Sequence, residues 1–189
     1  MMLKTLGMSA LALGLLSAAQ AQTAAPAVVV QRAVTEAEVV AAQQAWCQAL
    51  VDISTAHAQG GQAAAKALAE KVIDSAYGYQ YGAVLFKPTL TVNPQTFRTT
   101  RAGALAYFVG GDAAFPKDTG FALKGWTQCR AVNAGVLIAG QTATTMGKVH
   151  ITGKDGKVTT VDKTWQFMKD DAGRLRIVLH HSSLEFAGS

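Results

Sequence analysis

Two histidines and two serines stand together near the end of the chain, in the stretch LRIVLHHSSLEF at residues 175–186. The apolar and alternating residues before them predict a β-strand. Alternate residues of a regular strand share a face. The predicted faces hold Val178, His180, Ser182 and Leu184 on one side, and Ile177, Leu179, His181 and Ser183 on the other. Such a strand does not direct both imidazoles at one metal ion. It predicts either a pocket face with one imidazole and one hydroxyl, or a polar strand end that satisfies backbone groups.

Further polar residues stand within apolar stretches. Thr89 lies in VLFKPTLTV, and Tyr107 lies in ALAYFVGG. Both have an ordinary interpretation, as a β-branched strand residue and as a core aromatic. Asp74 is either the general base of a small isomerase or cyclase, or an acid that makes turn contacts at a helix end. Lys87 is a candidate partner for an anion, or a solvated residue at a strand edge.

The elements that must position these residues begin with helices. Thr35 and Glu38 form a capping-box pattern that opens an amphipathic helix, which we expect to end near Gly60 and Gly61. A second, alanine-rich helix follows directly. The chain then predicts a strand over AVLFKPTLTV, a short helix RAGALAYF capped by Thr99 or Thr100, and an antiparallel meander from Trp126 to the end. Helices followed by a curved antiparallel sheet predict an α+β domain, with a cone-shaped cavity between them for a small ligand.

Several motifs, in this order along the chain, carry a resemblance to a known family. They are VLFKPTLTV, FRTT, GALAYFVGGD, FPKDTGFALKGW, MGKV and LRIVLHHSSL. Together they resemble the iota class of carbonic anhydrases, over roughly residues 36–186. The resemblance implies a cystatin-like (NTF2-like) cone, in which N-terminal helices are wrapped by a curved antiparallel sheet. It also implies reversible hydration of CO2 to bicarbonate.

The resemblance assigns roles to residues by motif. In metal-independent members of the class, a threonine, a tyrosine and the first serine of HHSS hold bicarbonate. These correspond to Thr89, Tyr107 and Ser182, and His180 corresponds to the histidine beside that serine. Hydroxyls are suitable donors and acceptors for an anion that develops in a dry pocket. Apolar neighbours at Leu85, Phe86, Leu105 and Phe108 would supply a wall for CO2, and His180 would accept or relay the proton with a pKa near neutrality.

No cofactor is expected, because the two histidines point to opposite faces of the strand. Members of the wider class differ over whether a metal is used, so zinc and manganese stay open. Cys47 and Cys129 have no CxxC spacing and do not predict a zinc site. In an oxidising compartment they either form a disulfide or remain buried thiols.

Charge and hydropathy limit the classes of partner and the cellular location that we expect for this protein. The net charge of +5 is spread out along the chain, without a basic block containing aromatic residues, so we expect no nucleic-acid partner. Residues 1–21 have the lysine, the apolar run and the Ala-x-Ala end of a cleavable signal peptide. No later segment predicts a membrane span. We therefore expect a periplasmic or secreted protein with a flexible lead-in at 22–34 and a single NTF2-like domain at 35–189.

Two expectations concern assembly and an alternative function. The segments GVLIAG and KTWQFM place apolar residues on both faces of the sheet, which predicts a homodimer through the open face. The alternative to an enzyme is a non-catalytic NTF2-like module for ligand binding or assembly, because fold does not determine function.

Overall fold

The computed structural model describes residues 32–188. The predicted signal peptide at 1–21 lies outside the described residues, as does the predicted lead-in except for its last three residues. The elements in chain order are α1 (Glu36–Ala76), a 3-10 turn (Tyr79–Tyr81), β1 (Leu85–Lys87), α2 (Arg101–Val109), a second 3-10 turn (Phe121–Leu123), β2 (Trp126–Ala139), β3 (Thr142–Gly153), β4 (Val158–Lys169) and β5 (Leu175–Leu184).

The long helix α1 begins with the predicted capping box. The Thr35 hydroxyl accepts a hydrogen bond from the backbone N–H of Glu38, and the Glu38 carboxylate accepts one from the backbone N–H of Thr35. Gly61, with φ of 68° and ψ of −163°, leaves the helical region and bends the element into two halves. The two predicted helices are therefore present, and they join directly at a kink. No helix within residues 32–188 combines the length and apolar character that crossing a membrane requires.

The sheet has five strands in the order β1-β5-β4-β3-β2. Strands β2 to β5 form the predicted antiparallel meander, and β1 adds to its edge in parallel with β5. The strand predicted over AVLFKPTLTV is shortened to Leu85–Lys87. Pro88 follows it directly and has no N–H to continue the ladder, so the chain leaves the sheet before Thr89.

The core lies between α1 and the concave face of the sheet. From α1 it takes Val39, Trp46, Leu50, Ile53 and Ile73, and from the sheet it takes Val149, Ile151, Val161, Trp165, Phe167 and Ile177. Cys47 of α1 and Cys129 of β2 form a disulfide, with 5.0 Å between their Cα atoms. It links the helix to β2, an edge strand of the sheet. The α+β architecture predicted from the sequence, helices covered by a curved antiparallel sheet, is confirmed.

Candidate active site

Strand β5 places His180 and Ser182 on the inner face of the sheet. The two residues are 2% and 1% exposed, whereas His181 is exposed and Ser183 half-buried on the outer face. This division follows the prediction. The register skips one residue at Val178, because Leu179 pairs with Gln166 and the next pair joins Ile177 to Phe167. This β-bulge turns Ile177 into the core on the same face as His180, so its predicted place on the opposite face is wrong.

Thr89 reaches Ser182 from the segment after β1. β1 pairs with the part of β5 that contains His180, because Phe86 is the Cα partner of His180. The chain leaves β1 at Pro88, and the Thr89 Oγ1 then lies 2.5 Å from the Ser182 Oγ. Lys87 also contacts this point, because its Nζ donates to the Ser182 carbonyl at 3.0 Å. Burial lowers the pKa of Lys87.

A buried ion pair holds the segment that carries Thr89. The Arg98 guanidinium binds both carboxylate oxygens of Asp118 at 2.7 to 2.9 Å, with 2% and 5% of the side chains exposed. The Arg98 backbone N–H donates to the Phe86 carbonyl at 2.8 Å. The Thr91 hydroxyl donates to the Thr96 carbonyl at 2.8 Å and closes the loop between them. These contacts fix the backbone on both sides of Thr89.

Tyr107 comes from α2, a helix whose N-cap Thr100 accepts a hydrogen bond from the Gly103 backbone N–H. Its ring packs among Phe86, Phe108 and Phe121 with centroid distances of 5.4 to 5.8 Å. The Tyr107 hydroxyl is buried and has no hydrogen-bond partner of normal length and angle among residues 32–188, although Leu90 and Thr89 lie beside it. Burial raises the pKa of Tyr107, against the opposing effect of Thr89 and the Leu90 backbone beside it. An unpaired hydroxyl therefore lies next to the Thr89–Ser182 pair.

His180 lies deeper than the hydroxyls and binds two side chains. Its Nδ1 is 2.9 Å from the Tyr77 hydroxyl, and its Nε2 is 2.7 Å from the Lys163 Nζ. Its ring stacks on Phe86 at 4.3 Å. Burial lowers the pKa of His180 well below the ordinary 6.5, and the nearby Lys163 and His181 lower it further. The expected pKa near neutrality is therefore wrong, and His180 is a neutral imidazole at neutral pH.

The sequence analysis missed Lys163, Tyr77 and Trp46, which surround His180. Lys163 is 5% exposed, and its Nζ lies 4.6 Å from the centre of the Trp46 ring. Burial lowers the pKa of Lys163 from 10.5 to about 7. One signal in the sequence marks this residue. It occupies an inward position of β4 between Val161 and Trp165, where the alternation calls for an apolar side chain.

The apolar wall expected around the hydroxyls is present in part. Phe86 and Phe108 are buried beside Tyr107, and Leu105 is half-buried. Leu85 is 59% exposed, so its expected place in the wall is wrong. Leu85 precedes Phe86 on a strand, and adjacent strand residues point to opposite faces.

Asp74 is an acid at a helix end, as one of the two alternatives had it, but its partner is Arg101 of α2 and not the turn. It lies in the last turn of α1 with 58% of its side chain exposed, and its carboxylate binds the Arg101 guanidinium at 2.6 and 2.8 Å. The ion pair with Arg101 lowers the pKa of Asp74. A solvated carboxylate paired with arginine is a poor general base, so an isomerase or cyclase that uses Asp74 is not supported.

One other concave place in the molecule does not compete with this cluster. A surface cavity of about 800 Å³ lies between the first half of α1 and the edge strand β2, around the disulfide, and it contains neither the hydroxyl cluster nor His180. We place the chemistry at the hydroxyl cluster, because Gln43, the buried polar side chain among the residues that line the cavity, already has its amide paired with Asn133 and Thr145. Within residues 32–188, no group of three or more His, Cys, Asp or Glu side chains has the geometry to hold a metal ion.

Comparison with known proteins gives closely similar sequences and structures. The profile of the metal-independent carbonic anhydrase family matches residues 37–184. A metal-independent carbonic anhydrase of Nostoc sp. is 67% identical over 158 residues, which are 84% of this chain and 77% of that protein. The crystal structure of a cyanobacterial iota-carbonic anhydrase complexed with bicarbonate is 65% identical, with a TM-score of 0.85 over 87% of this chain and 100% of that one.

A more distant structure shares the fold alone. A chain from Xanthomonas campestris, assigned as a calcium/calmodulin-dependent protein kinase II association domain, is 23% identical with a TM-score of 0.51. The match covers 84% of this chain and 97% of that one.

Proposed function

The chain belongs to the metal-independent carbonic anhydrase family, and from that premise we propose that its own site hydrates CO2 reversibly, CO2 + H2O ⇌ HCO3⁻ + H⁺. The site is the cluster of Thr89, Tyr107 and Ser182, and no metal takes part. One observation carries the assignment of the site. The Thr89 and Ser182 hydroxyls are in contact at 2.5 Å, and the unpaired Tyr107 hydroxyl is buried beside them.

Hydroxyl groups in apolar surroundings can replace the charge of a metal ion. As water attacks CO2, negative charge develops on the CO2 oxygens, and preorganised donors stabilise that charge most strongly where water is excluded. Tyr107 has no competing hydrogen-bond acceptor, so its O–H is free to donate to the developing bicarbonate. Thr89 and Ser182 each donate and accept, which matches an anion that carries one O–H and two acceptor oxygens.

The aromatic wall suits the neutral substrate. Phe86 and Phe108 are buried beside the Tyr107 ring and present apolar surface to CO2, which has no net dipole. In the same surroundings, each donor acts through a low effective dielectric constant. The site therefore combines an apolar wall for CO2 with hydrogen-bond donors for bicarbonate.

His180 keeps a place in the proposal, with a different role from the one expected. Its pKa lies well below neutrality, so it does not store the proton that hydration releases. It links Tyr77 to Lys163 and packs against the Phe86 ring beside the hydroxyl cluster. We assign it the role of a positioning residue.

Stopped-flow CO2 hydration tests the proposal. Metal-stripped protein should hydrate CO2 well above the buffer rate, and added zinc or manganese should not change that rate. Thr89→Val removes one hydroxyl without changing the shape of the side chain and should reduce the rate by about 10²-fold. Thr164→Val, a half-buried threonine on the outer face of β4, is the matched control. If the wild-type rate equals the rate in buffer, with or without metal, the assignment as an enzyme is wrong. The alternative, a non-catalytic binding module, then remains.

We also propose a periplasmic or secreted location after cleavage behind Ala21. The signal-peptide pattern of residues 1–21 supports it, and so does the Cys47–Cys129 disulfide, since such bonds persist in oxidising compartments. Fractionation followed by N-terminal sequencing should find a chain that starts at Gln22 outside the cytoplasm. An uncleaved chain in the cytoplasmic fraction would contradict this.

We further propose a homodimer through the outer face of the sheet. Leu137 of β2 and Met146 of β3 lie on this face and are 70% and 64% exposed, and Val132 beside them is 40% exposed. Exposed apolar groups of this kind mark an interaction surface, and a second copy is the partner expected for it. Light scattering at micromolar concentration should give twice the monomer mass, and Leu137→Lys should shift the mass toward the monomer. A monomeric wild type would contradict the proposal.

A further inference from the structure

Lys163 is a buried amine without an acidic partner. Its Nζ contacts the His180 Nε2 at 2.7 Å and lies over the Trp46 and Trp165 rings at 4.6 and 5.3 Å. None of the ion pairs among residues 32–188 includes Lys163. A buried ammonium without a counter-ion is costly, and lysine avoids that cost by losing its proton.

The hydrogen bonds around His180 favour the neutral amine. The Trp46 indole N–H donates to the Tyr77 oxygen at 2.9 Å, so the Tyr77 O–H is free to donate to the His180 Nδ1. The neutral imidazole then carries its proton on Nε2 and donates it to the lone pair of the Lys163 amine. If Lys163 were an ammonium that donates to Nε2, Nδ1 would carry the proton and the Tyr77 O–H would lose its acceptor. The neutral arrangement gives a partner to the Tyr77 hydroxyl, to both imidazole nitrogens and to the amine lone pair.

Within the described part of the chain, the groups that face Lys163 on each side include no carboxylate. Helix α1 presents Trp46, the residue after its end is Tyr77, and β5 presents His180. On β3 the cross-strand partner is Gly147, which has no side chain. The nearest further charge on the Ser182 side is another cation, Lys87. The surroundings of the amine therefore lack negative charge, which an anion in the hydroxyl cluster would supply.

Lys163 also stands directly across from the proposed site. It is the Cα partner of Ser182 in the β4–β5 ladder, and both side chains point to the inner face. Side chains of such a pair lie about 4.5–5.5 Å apart at Cβ. Lys163 therefore starts opposite Ser182, and its amine extends to His180, the neighbour of Ser182 on the inner face of β5.

We propose that Lys163 is a neutral amine in the empty site, takes up the proton released by CO2 hydration, and is then the counter-ion of bicarbonate. The inference rests on the proposed function and deepens it. The balanced step is CO2 + H2O + Lys163–NH2 → HCO3⁻ + Lys163–NH3⁺. The water oxygen bonds to carbon, and one C=O electron pair becomes the oxyanion. The water proton bonds to the lone pair of the amine, which gives up the hydrogen bond it accepted from the His180 Nε2–H. The proton leaves to solvent after bicarbonate departs.

The burial of Lys163 agrees with this assignment, because it lowers the pKa of the amine to about 7 and so permits proton uptake and release near neutral pH. A bound bicarbonate would raise that pKa, since an opposite charge favours the charged form. Bicarbonate binding and proton uptake by Lys163 are then linked.

NMR of protein labelled with 13C at the lysine ε-carbon measures this linkage. The Lys163 signal is the one absent from Lys163→Met. In chloride it should titrate near pH 7, and in bicarbonate at equal ionic strength its midpoint should move up by about one pH unit or more. Titration near the ordinary lysine range in chloride, or equal midpoints in the two salts, overturns the inference.

Two variants separate charge from proton transfer. Lys163→Met should lose both CO2 hydration, by about 10²-fold or more, and affinity for bicarbonate. Lys163→Arg keeps a permanent charge that cannot accept a proton, so it should bind bicarbonate and still hydrate CO2 slowly. Lys157→Met, at a residue whose side chain is 87% exposed, is the control and should match wild type. Thermal denaturation establishes that each variant is folded.

The two proposals fail in different ways. A wild-type chain that does not hydrate CO2 overturns the proposed function, whatever the NMR titration shows. Wild-type hydration together with an equally active, folded Lys163→Met overturns the role of Lys163 alone. Loss of turnover in Lys163→Met with unchanged bicarbonate affinity also overturns the counter-ion role.

Discussion

The side-chain oxygens of Thr89 and Ser182 lie 2.5 Å apart although 93 residues separate them in the chain. The contact exists because β1 pairs in parallel with β5 and then ends at Pro88. Strand β5, which carries the histidines and serines, therefore meets a hydroxyl from a segment that comes much earlier in the chain. The pairing of the edge strand β1 with β5 therefore brings Thr89 to the proposed site.

Ser182→Ala should reduce CO2 hydration by about 10²–10³-fold, because one donor to the developing bicarbonate is lost. The fold should persist, since the partner hydroxyl of Thr89 can turn to other acceptors. Stopped-flow measurement of kcat/KM checks the rate. Ser183→Ala, on the outer face, is the matched control and should stay near the wild-type rate.

Tyr107→Phe should separate stability from activity. The Tyr107 hydroxyl is buried without a hydrogen bond, so its removal should leave the free energy of unfolding unchanged or raise it by about 1 kcal/mol. The rate of CO2 hydration should fall by about 10²-fold, because a transition-state donor is lost. Urea denaturation and stopped-flow kinetics measure the two effects. Tyr81→Phe, at a tyrosine that is 54% exposed, should change neither.

His180→Ala should lower activity far more than His181→Ala. Removal of His180 leaves the Lys163 amine and the Tyr77 hydroxyl without their shared partner and takes away the ring under Phe86. A displaced pocket costs about 10²-fold in rate, and the unpaired buried groups should cost about 1–3 kcal/mol of stability. Kinetics well below the melting temperature of each variant separates these effects. If substitution of His181 and Ser183 instead lowered the rate of CO2 hydration most, the assignment of His180 and Ser182 to the inner face of β5 would be wrong.

Lys163 should make stability depend on pH. In the folded protein its pKa is lowered to about 7, whereas the unfolded chain keeps the ordinary 10.5. Between these values the unfolded chain binds more protons, so the free energy of unfolding should rise with pH, by up to about 1.4 kcal/mol per pH unit. Below about pH 7 both states hold the proton, and this dependence disappears.

Urea denaturation from pH 6 to pH 9 measures this slope. The upper limit lies below the range where tyrosines of the unfolded chain ionise, near pH 10. Lys163→Met should be more stable than wild type at low pH and should lose most of the slope. The same slope in Lys163→Met and in wild type would contradict a buried lysine with a lowered pKa.

The sequence by itself determined most of the elements and the faces of the two histidines and two serines of β5. The capping box at Thr35, the cap at Thr99 or Thr100 and the alternation in β4 and β5 are local patterns, and a local pattern sets dihedral angles and faces without knowledge of the rest of the chain. The structure selects Thr100 as the cap. The division of His180 and Ser182 from His181 and Ser183 follows from this alone. So do the two halves of α1 and the break between them at Gly61. The motif resemblance named the family, and the match over residues 37–184 confirms it.

The tertiary structure decided which distant residues are in contact, and these contacts set the protonation states of His180 and Lys163. The bulge at Val178, the early end of β1 and the disulfide depend on how distant segments pack, which no local pattern records. The expected near-neutral pKa of His180 was wrong for the same reason. A pKa depends on desolvation and on neighbouring charges, and those are set by burial under α1 and by Lys163 of the adjacent strand. Alternation put Lys163 on the inner face, but only packing shows that no carboxylate of the described residues pairs with it there.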